Sequence, residues 1–383
     1  MKRFYFIAAM AIMAVGCQKT EIQNEVQTPI GFSTEVGKQT RAVVATTFDQ
    51  TQPFGVYAYG YDNGTPNANP VMSNVEIAKI EDAKWGATGT VKYYWPNNAN
   101  STLNFYAYSP FIGNNVDFNG AAKTVPAHQK MSATITHDET DGLKISNYEH
   151  KNMYVDFMVA TPVIGAKYGD QGGEASENAT VVPAVFHHEM TQIVFKVNTA
   201  QTYNGVTFIV EDITLNNIGN KGAYVNDMVK SFTFATGDWS ITDYTGSYPI
   251  FPQTAYNATT AENGCPRDGF ITQDEFEVNQ SEKTLITEGV TMLPQEIKDG
   301  KQSFTITYRI AGTGVAEETV TRTVEFFDFN PKNAAGENQT LVSWANNQKI
   351  TYSVRIGLNE IYFDPTIVDD WTNVVGNEYT FQQ

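Results

Sequence analysis

Apolar and polar residues alternate with a period of two in several segments of the chain. The clearest segments are STLNFYAY, TQIVFKVN, SFTITYRIAG and KITYSVRIGL. Their alternating apolar residues are Leu103, Phe105, Ile193, Phe195, Val197, Phe304, Ile306, Tyr308, Ile310, Ile350, Tyr352, Val354, Ile356 and Leu358. This alternation is typical of strands that bury one face and expose the other to water. Each of the four segments is therefore predicted to be a strand.

Polar turns rich in glycine, asparagine and proline separate these segments, and helical periodicity is scarce. The segment LVSWANNQ (residues 341–348) is the best candidate for a short helix. Many strands joined by such turns predict an all-β protein built of antiparallel β-sandwiches. A chain of 383 residues is long enough for two domains. The polar break Asn198–Gly205 is the best seam, so we expect one sandwich over residues 42–200 and a second over residues 201–383.

The N-terminus has the features of an export signal. Two basic residues precede an apolar run over residues 4–15, which ends at a glycine followed by Cys17. This run is too short for a membrane-spanning helix and is typical of a secretory signal. The sequence AVGC resembles the lipobox of bacterial lipoproteins, although Ala14 replaces the usual leucine. We therefore expect a signal peptide over residues 1–17, lipidation of Cys17 and a route to a Gram-negative outer membrane; the alternative is an ordinary cleaved signal.

The charge and composition of the chain limit its partners. The formal net charge is −17, and no basic patch with interleaved aromatic residues is present in the sequence. Such a surface repels phosphate backbones, so nucleic-acid binding is not expected. Beyond Cys17, the sequence contains one other cysteine, Cys265, which lies in a turn-rich segment. A lipidated Cys17 leaves Cys265 without a disulfide partner, and an incidental loop thiol is the favoured interpretation of it.

The sequence gives little support for catalysis. The segment HHEMTQ approaches the zinc-protease motif HExxH, but Gln192 occupies the position of the second histidine ligand. The pair His187 and His188 is also expected at the start of a strand rather than inside a helix. No nucleophile elbow, phosphate-binding loop or dinucleotide fingerprint occurs in the sequence. We therefore expect neither an enzyme nor a cofactor, with a secreted hydrolase of unrecognised site as a weak alternative.

Two further groups of residues have alternative interpretations. A calcium ion would need carboxylates such as those of Asp268, Asp274, Glu275 and Glu277, but the EF-hand spacing is absent and a solvated acidic loop is favoured. The second group consists of aromatic residues in the segments FGVYAYGY and VKYYWP. Its members are Tyr57, Tyr59, Tyr61, Tyr93, Tyr94 and Trp95. They are expected in a core, with an interface or stacking on sugar rings as the alternatives.

Segments along nearly the whole chain resemble those of the fimbrillin family, the type V pilins of Bacteroidia. These segments are AVGC, IGFSTEVGKQTRA, YYWPNNANSTLNFYAYSPF, DFMVATP, VFHHEMTQIVFKV, ITLNNIGNKGAY, MLPQ and LNEIYFDPTIVDDW. The resemblance implies two tandem transthyretin-like antiparallel β-sandwich domains, a lipid-anchored precursor and assembly into surface fimbriae with other fimbrial subunits. It implies no catalytic residues.

In type V pilins an arginine-specific protease removes the first strand, and a strand of the next subunit takes its place. By resemblance, the bond between Arg41 and Ala42 is the cleavage site and residues 18–41 form the propeptide. Ile30, Phe32 and Val36 lie on one face of the expected first strand, with Thr34 between them. We therefore expect these three side chains to fill a groove until the strand is displaced. The polar link that follows them would admit a protease.

The C-terminal segment NVVGNEYTFQQ has a similar pattern. Val375, Tyr379 and Phe381 share one face of an extended segment, with Asn377 between them. Spaced apolar residues at a chain end suit addition to an exposed sheet edge. Our hypothesis is that residues 374–381 replace residues 29–36 of a neighbouring subunit; the alternative is a last strand of the same domain.

Together these observations predict a structural and adhesive subunit of the shaft or tip of a surface fimbrium. Its expected partners are other subunits, an arginine-specific protease, the outer membrane and a receptor on a host or bacterial surface. Two alternatives share the lipid signal: a monomeric surface lipoprotein that binds glycans, and a fimbrial anchor that keeps its first strand.

Overall fold

The structure is a computed structural model that describes most of the chain between residues 28 and 370. The described residues are 28–36, 48–81, 84–113, 131, 133–151, 153, 155–168, 181–227, 234–251, 276–281, 283–285, 289–329, 342–358, 361–363 and 367–370. Within them, one short 3-10 helix covers Phe326–Asp328 and all other regular elements are strands. No helix among these residues has the length and apolar character needed to cross a membrane.

The strands follow the chain in this order: β1 (Gly31–Val36), β2 (Phe54–Asp62), β3 (Thr65–Pro66), β4 (Met72–Glu81), β5 (Lys84–Ala87), β6 (Ser101–Ser109), β7 (Thr134–Asp138), β8 (Gly142–Glu149), β9 (Met158–Ala160), β10 (Val163–Ala166), β11 (Val181–His188), β12 (Thr191–Thr199), β13 (Val206–Ile218), β14 (Lys221–Asn226), β15 (Asp238–Asp243), β16 (Gly246–Phe251), β17 (Phe276–Val278), β18 (Lys283–Thr284), β19 (Val290–Met292), β20 (Gln295–Glu296), β21 (Ser303–Gly312), β22 (Val315–Glu325), β23 (Ser343–Trp344), β24 (Gln348–Ile356), β25 (Ile361–Phe363) and β26 (Ile367–Asp370). The all-β prediction is confirmed. Most neighbouring strands are antiparallel, but β1 pairs with β11, and β12 with β24, in parallel.

The four segments with period-two alternation are strands, as predicted. They form β6, β12, β21 and β24, and their inward apolar residues are buried. The alternation in the last segment ends before Leu358, which lies beyond β24 and is 42% exposed. The expectation of one wet face fails for β6, because Tyr106 and Tyr108 are as buried as Leu103 and Phe105 on the opposite face. It fails for β24 too, because Thr351 and Ser353 on the expected wet face are buried.

The short helix expected over residues 341–348 is wrong for the part of that segment that the structure describes. Ser343 and Trp344 form β23, which pairs with β20, and Gln348 already begins β24. Trp344 is 1% exposed, and its indole Nε1 donates a hydrogen bond to the hydroxyl of Tyr352 at 2.8 Å. Burial of this large side chain against β24 therefore outweighs the weak helical pattern of the segment.

Seven strands of the N-terminal half form a closed circuit of pairings. The order is β2, β6, β9, β11, β1, β5 and β4, and β4 pairs again with β2. A single hydrophobic cluster, here the ring core, collects side chains from all seven strands. Its largest members are Phe32, Phe48, Phe54, Trp85, Trp95, Phe105 and Phe186. The circuit therefore encloses an aromatic core.

A second core lies on the outer face of this circuit. The sheet β15-β14-β8-β7 supplies Leu143, Ile145 and Tyr224 to it, and the circuit supplies Tyr57 and residues of β6 and β9. The third core lies between the sheets built on β12–β24 and on β13–β21, which form a sandwich. The predicted β-sandwich architecture is therefore present, with an additional layer on the N-terminal half.

Strand pairing crosses the predicted seam at residue 200 in both directions. β12 lies before the seam and pairs with β24 in nine successive positions, from Thr191–Gln348 to Thr199–Ile356. β14 lies after the seam and pairs with β8. The polypeptide therefore exchanges strands between its two halves, while the division into domains at residues 200 and 201 stays a prediction.

A buried carboxylate lies in the tight connection between β11 and β12. Glu189 is fully buried; its Oε2 accepts hydrogen bonds from the backbone N–H of Gly237 at 3.1 Å and from the side-chain amide of Asn346 at 2.5 Å. These contacts join the β11–β12 turn to the approach to β15 and to the turn before β24. Burial raises the pKa of Glu189 from 4.5 to about 8, because the charged form is poorly solvated there.

Glu189→Gln should remove part of the pH dependence of stability. Below pH 4.5 the carboxyl is protonated in both folded and unfolded chains. Between pH 4.5 and about 8 the unfolded chain ionises while the folded chain keeps the proton, so this group lowers the free energy of unfolding by about 1.4 kcal/mol per pH unit. Glutamine keeps an acceptor but cannot ionise. Urea unfolding at pH 5, 6.5 and 8 should therefore show that the free energy of unfolding of the variant increases relative to that of the wild type as pH rises. A difference that does not change with pH would contradict the prediction.

Candidate assembly site around the first strand

β1 is inserted between two strands that come from distant parts of the chain. On one side it pairs in parallel with β11 at six positions, from Gly31–Val181 to Val36–Phe186. On the other side it pairs with β5 at one position, Phe32–Trp85. The first strand therefore closes the circuit, and its backbone pairing is much more extensive with β11 than with β5.

The apolar face of β1 points into the ring core. Ile30, Phe32 and Val36 are 6%, 1% and 7% exposed, respectively. The ring of Phe32 contacts Phe54 and Phe105 edge to face, at centroid distances of 5.9 and 5.8 Å. These are favourable geometries for aromatic pairs and add to the burial of apolar area. The three residues predicted to fill a groove are thus part of the N-terminal core.

The residue between these apolar side chains meets a small neighbour. Thr34 is half-buried and lies opposite Ala184 in the pairing with β11. On the opposite face of β1, Glu35 is exposed. One face of β1 therefore packs into the protein and the other reaches solvent, because successive side chains of a strand point to opposite faces of the sheet.

The residues before β1 are held by a second set of backbone bonds. The N–H of Ile30 donates to the carbonyl of Tyr93 at 2.9 Å, and the N–H of Trp95 donates to the carbonyl of Thr28 at 3.0 Å. Trp95 is 3% exposed and packs on Phe105 at 5.8 Å. The aromatic segment before β6 thus fixes the upstream end of the first strand.

Most of the other predicted site residues lie outside the described part of the chain. They are the lipidation site Cys17, the cleavage site Arg41–Ala42, the tail residues Val375, Tyr379 and Phe381, and the lone thiol Cys265. The covalent link from β1 to the rest of the ring core runs through residues 37–47, between Val36 and Phe48. The predicted cleavage site lies within this link.

Comparison with known proteins shows to which family the chain belongs. A model of fimbrillin-like proteins matches residues 40–371. The chain belongs to the fimbrillin-like family. A fimbrial protein from Bacteroides vulgatus has the same fold, with 18% identity, a TM-score of 0.54 and coverage of 90% of this chain and 100% of that one.

Other solved structures resemble this fimbrillin-like chain more weakly. A proposed cell adhesion protein from Bacteroides uniformis is 15% identical with a TM-score of 0.44, and covers 90% of this chain and 99% of its own. Another from Bacteroides ovatus is 14% identical with a TM-score of 0.46, and covers 92% and 99%. No curated protein matches the chain. The family match identifies the chain as a fimbrillin-like protein, and the B. vulgatus structure supports the fold.

The histidines of this fimbrillin-like protein are buried wherever the structure describes them. Burial lowers the pKa of His137, His150 and His187 to about 4, so these side chains are neutral at pH 7. His187 and His188 end β11 rather than begin a strand, which corrects the expected position. His188 Nδ1 lies 2.9 Å from the carboxylate of Asp156. Among the described residues no three histidine, cysteine or acidic side chains form a group that could hold a metal ion.

Most of the tyrosines considered for sugar stacking are buried or form hydrogen bonds within the protein. Tyr57 is 5% exposed, and its ring stacks on that of His137 at a centroid distance of 5.3 Å. Glu139 accepts hydrogen bonds from Tyr106 at 3.0 Å, from the amide of Asn104 at 2.7 Å and from Tyr61. This network joins the residues after β7 to the outer face of the circuit. Of the three aromatic residues in the second segment, Tyr94 is exposed, at 39%, whereas Tyr93 is half-buried and Trp95 is buried.

Sequence reasoning did not identify the residues that receive the first strand. Phe186 of β11 stacks on Phe48 at 4.8 Å, and Trp85 of β5 contacts Phe48 at 5.4 Å. The alternation of Val182, Ala184 and Phe186 indicates a strand with one apolar face. It does not indicate that the partner of that strand lies about 150 residues earlier in the chain, as the register of β1 with β11 shows.

Phe32→Ala should strongly destabilise the uncleaved chain. Truncation of this fully buried ring removes its contacts with Phe54 and Phe105 and leaves a cavity in the ring core. The expected loss in the free energy of unfolding is about 3–5 kcal/mol. Urea unfolding followed by tryptophan fluorescence measures this loss, because Trp85 and Trp95 line the same core.

Glu35→Ala is the matched control, since Glu35 lies on the same strand with its side chain exposed. Its effect should stay within about 0.5 kcal/mol. Equal effects of the two substitutions would contradict a specific role of Phe32 in closing the core.

Proposed function

We propose that the protein is a structural and adhesive subunit of a surface fimbrium, made as a precursor lipidated at Cys17. In this proposal cleavage after Arg41 releases the first strand, and a strand of the next subunit replaces it. The observation that carries the proposal is the position of β1: it closes the circuit with its apolar face in the ring core. The chain's family membership and the B. vulgatus fimbrial protein of the same fold also support it.

Cleavage within residues 37–47 would change how β1 is held. Before cleavage the strand is tethered to Phe48 and its departure is opposed by both the tether and its contacts. After cleavage only non-covalent contacts remain. Burial of Ile30, Phe32 and Val36 contributes about 4.5–9 kcal/mol, at roughly 1.5–3 kcal/mol per side chain. A free fragment of this affinity can exchange for a competing strand, whereas a tethered one returns at once.

Departure of β1 would leave an acceptor groove of defined character. Six positions of β11, from Val181 to Phe186, would lose their partner strand. The ring core would open at the place that Phe32 fills. Unpaired backbone at a sheet edge beside an exposed apolar core favours the addition of another strand.

The tail residues match this groove in reverse order. The spacing of Ile30, Phe32 and Val36 is two residues and then four, whereas that of Val375, Tyr379 and Phe381 is four and then two. Phe381 would therefore occupy the place of Ile30, with Tyr379 at the place of Phe32. In this arrangement the incoming strand runs opposite to β1 and pairs antiparallel with β11. Antiparallel pairing is slightly more stable per residue than the parallel pairing it would replace.

The family-model match also fits the proposed maturation. It begins at residue 40, after β1 and next to Arg41. If the first strand is discarded, its sequence needs to fit only the groove of its own precursor and is not part of the mature fold. The same lipid signal would serve a fimbrial anchor, which would keep β1 and the bond after Arg41.

Arg41→Ala should block maturation without affecting folding. An arginine-specific protease requires the guanidinium at the cleavage position, so the variant should keep β1 and stay at the size of the lipidated precursor. Mass analysis of the N-terminus from intact cells should give Ala42 for the wild type and lipidated Cys17 for the variant. Lys38→Ala, which removes a charge from the same link, should mature normally.

A wild-type protein that still begins at lipidated Cys17 would overturn the cleavage proposal and favour the anchor. A wild type that begins at Ala42, together with a variant cleaved elsewhere, would overturn only the assignment of Arg41.

Deletion of residues 374–383 should abolish polymers while leaving cleavage intact. Denaturing gels of unheated samples should then show a mature monomer instead of a ladder. Phe381→Asp tests the same point with one substitution, because a charge in the ring core is strongly unfavourable. Gln383→Asp is its control, since it introduces the same negative charge two residues away. Normal ladders from the deletion variant would exclude the tail as the donor strand.

A further inference from the structure

β22 is a long edge strand on the sandwich of the C-terminal half. It covers 11 residues, Val315–Glu325, and among the described residues it pairs only with β21. Val320 and Val324 are buried and attach the strand to the sandwich core. Nearly all of its other described side chains are exposed. Within the part of the chain that the structure describes, the other side of β22 therefore presents a row of backbone N–H and C=O groups beside polar side chains.

The polar side chains of β22 are complementary to those of a second β22. If two copies run antiparallel with Val320 opposite Val320, then Glu318 lies opposite Arg322 and Thr319 lies opposite Thr321. The two-fold axis repeats each of these pairs, so the interface contains two Glu–Arg pairs and two Thr–Thr pairs. Opposite charges and paired threonines at directly opposed positions stabilise antiparallel strands.

The charged residues of these pairs are available for a partner. Glu318 and Arg322 lie on the same side of the strand as Val320, and both are exposed. No ion pair of either residue occurs within the described part of the chain, whereas the neighbouring Glu317 is already paired with Arg309 at 3.3 Å. One acidic and one basic side chain, four residues apart on the face of β22 that carries Val320, are thus exposed to solvent and form no ion pair within the described residues.

Other registers lack this complementarity. In a symmetric antiparallel pair, the two-fold axis places one residue of β22 opposite the same residue of the second copy. Each alternative register therefore places a different residue on the axis. With Thr321 on the axis, Glu317 lies opposite Glu325 and Arg322 opposite Val320. With Thr319 on the axis, Glu318 lies opposite Val320. The register centred on Val320 alone pairs both charges.

We propose that β22 is an interface for a second copy of this chain, formed by antiparallel pairing centred on Val320. The sheet that contains β13, β21 and β22 would continue across the two-fold axis into the partner. Such a contact is isologous and closes after two copies. It differs from replacement of β1, which joins an end of one subunit to a groove of the next. The two contacts use different strands, so fimbrial subunits joined end to end could also be joined side by side.

Charge reversal tests this interface with built-in rescue. Glu318→Arg places arginine opposite arginine twice, and Arg322→Glu places glutamate opposite glutamate twice. Each variant alone should dimerise roughly tenfold more weakly than the wild type, given two reversed pairs per interface. An equimolar mixture of the two should dimerise like the wild type, because every mixed pair is again Glu opposite Arg. The double variant should also recover.

The experiment uses the full-length, uncleaved chain in detergent, with sedimentation velocity over a concentration series. Asp227→Arg and Lys92→Glu are controls that make the same charge changes at exposed positions away from β22; both should dimerise like the wild type. Circular dichroism establishes that each variant is folded. If one single variant fails to fold, Glu318→Gln or Arg322→Gln, which removes the charge and keeps the approximate shape, replaces it and should weaken dimerisation to a smaller extent.

Two results would overturn the proposal. The first is a wild type that stays monomeric across the whole concentration series. The second is a mixture of the two single variants that dimerises no better than either alone. The latter would mean that the charges of β22 only protect an exposed edge from unspecific pairing.

Discussion

The contact of Phe32 with Phe54 and Phe105 holds together the part of the molecule on which the rest is arranged. These three side chains come from β1, β2 and β6, and they meet in the aromatic core that the closed circuit encloses. Because β2 and β6 also present Tyr57, Tyr106 and Tyr108 outward, the same two strands carry the second core. The position of Phe32 therefore affects the circuit directly and the outer layer only through β2 and β6.

The outer layer makes the two halves of the protein interdependent. β14 follows β13 of the sandwich in the chain but pairs with β8, and β15 pairs with the other edge of β14. β12 follows β11 of the circuit but pairs with β24. Glu189 lies in the β11–β12 turn and accepts hydrogen bonds from Gly237 and Asn346 of the later half. A force on one half would thus pass to the other through paired strands rather than through a flexible linker, which suits a subunit of a surface fibre.

Local alternation was enough to locate strands, because burial of every second side chain leaves a signal within eight or nine residues. It did not reveal that β6 is covered on both faces, since Tyr106 and Tyr108 are compatible with either a wet or a buried face. It also misassigned Ser343–Trp344, where a two-residue strand is too short for a periodic signal. Ile30, just before β1, and Phe32 and Val36 within it were singled out by their spacing and by family resemblance. Their partners on β11 were not, because pairing between residues about 150 positions apart leaves no pattern in one sequence.

The contacts of β1 confine the direct effect of its departure to the circuit. Ile30, Phe32 and Val36 belong to the ring core alone; β1 contributes no residue to the core of the outer layer or to that of the sandwich. Its pairing with β5 is a single position, so separation on that side disrupts little backbone structure. Separation from β11 disrupts six positions. An incoming strand would therefore displace the least backbone pairing beside β5 and gain most of its own pairing from β11, whose C-terminal end, Phe186–His188, is also paired with β9.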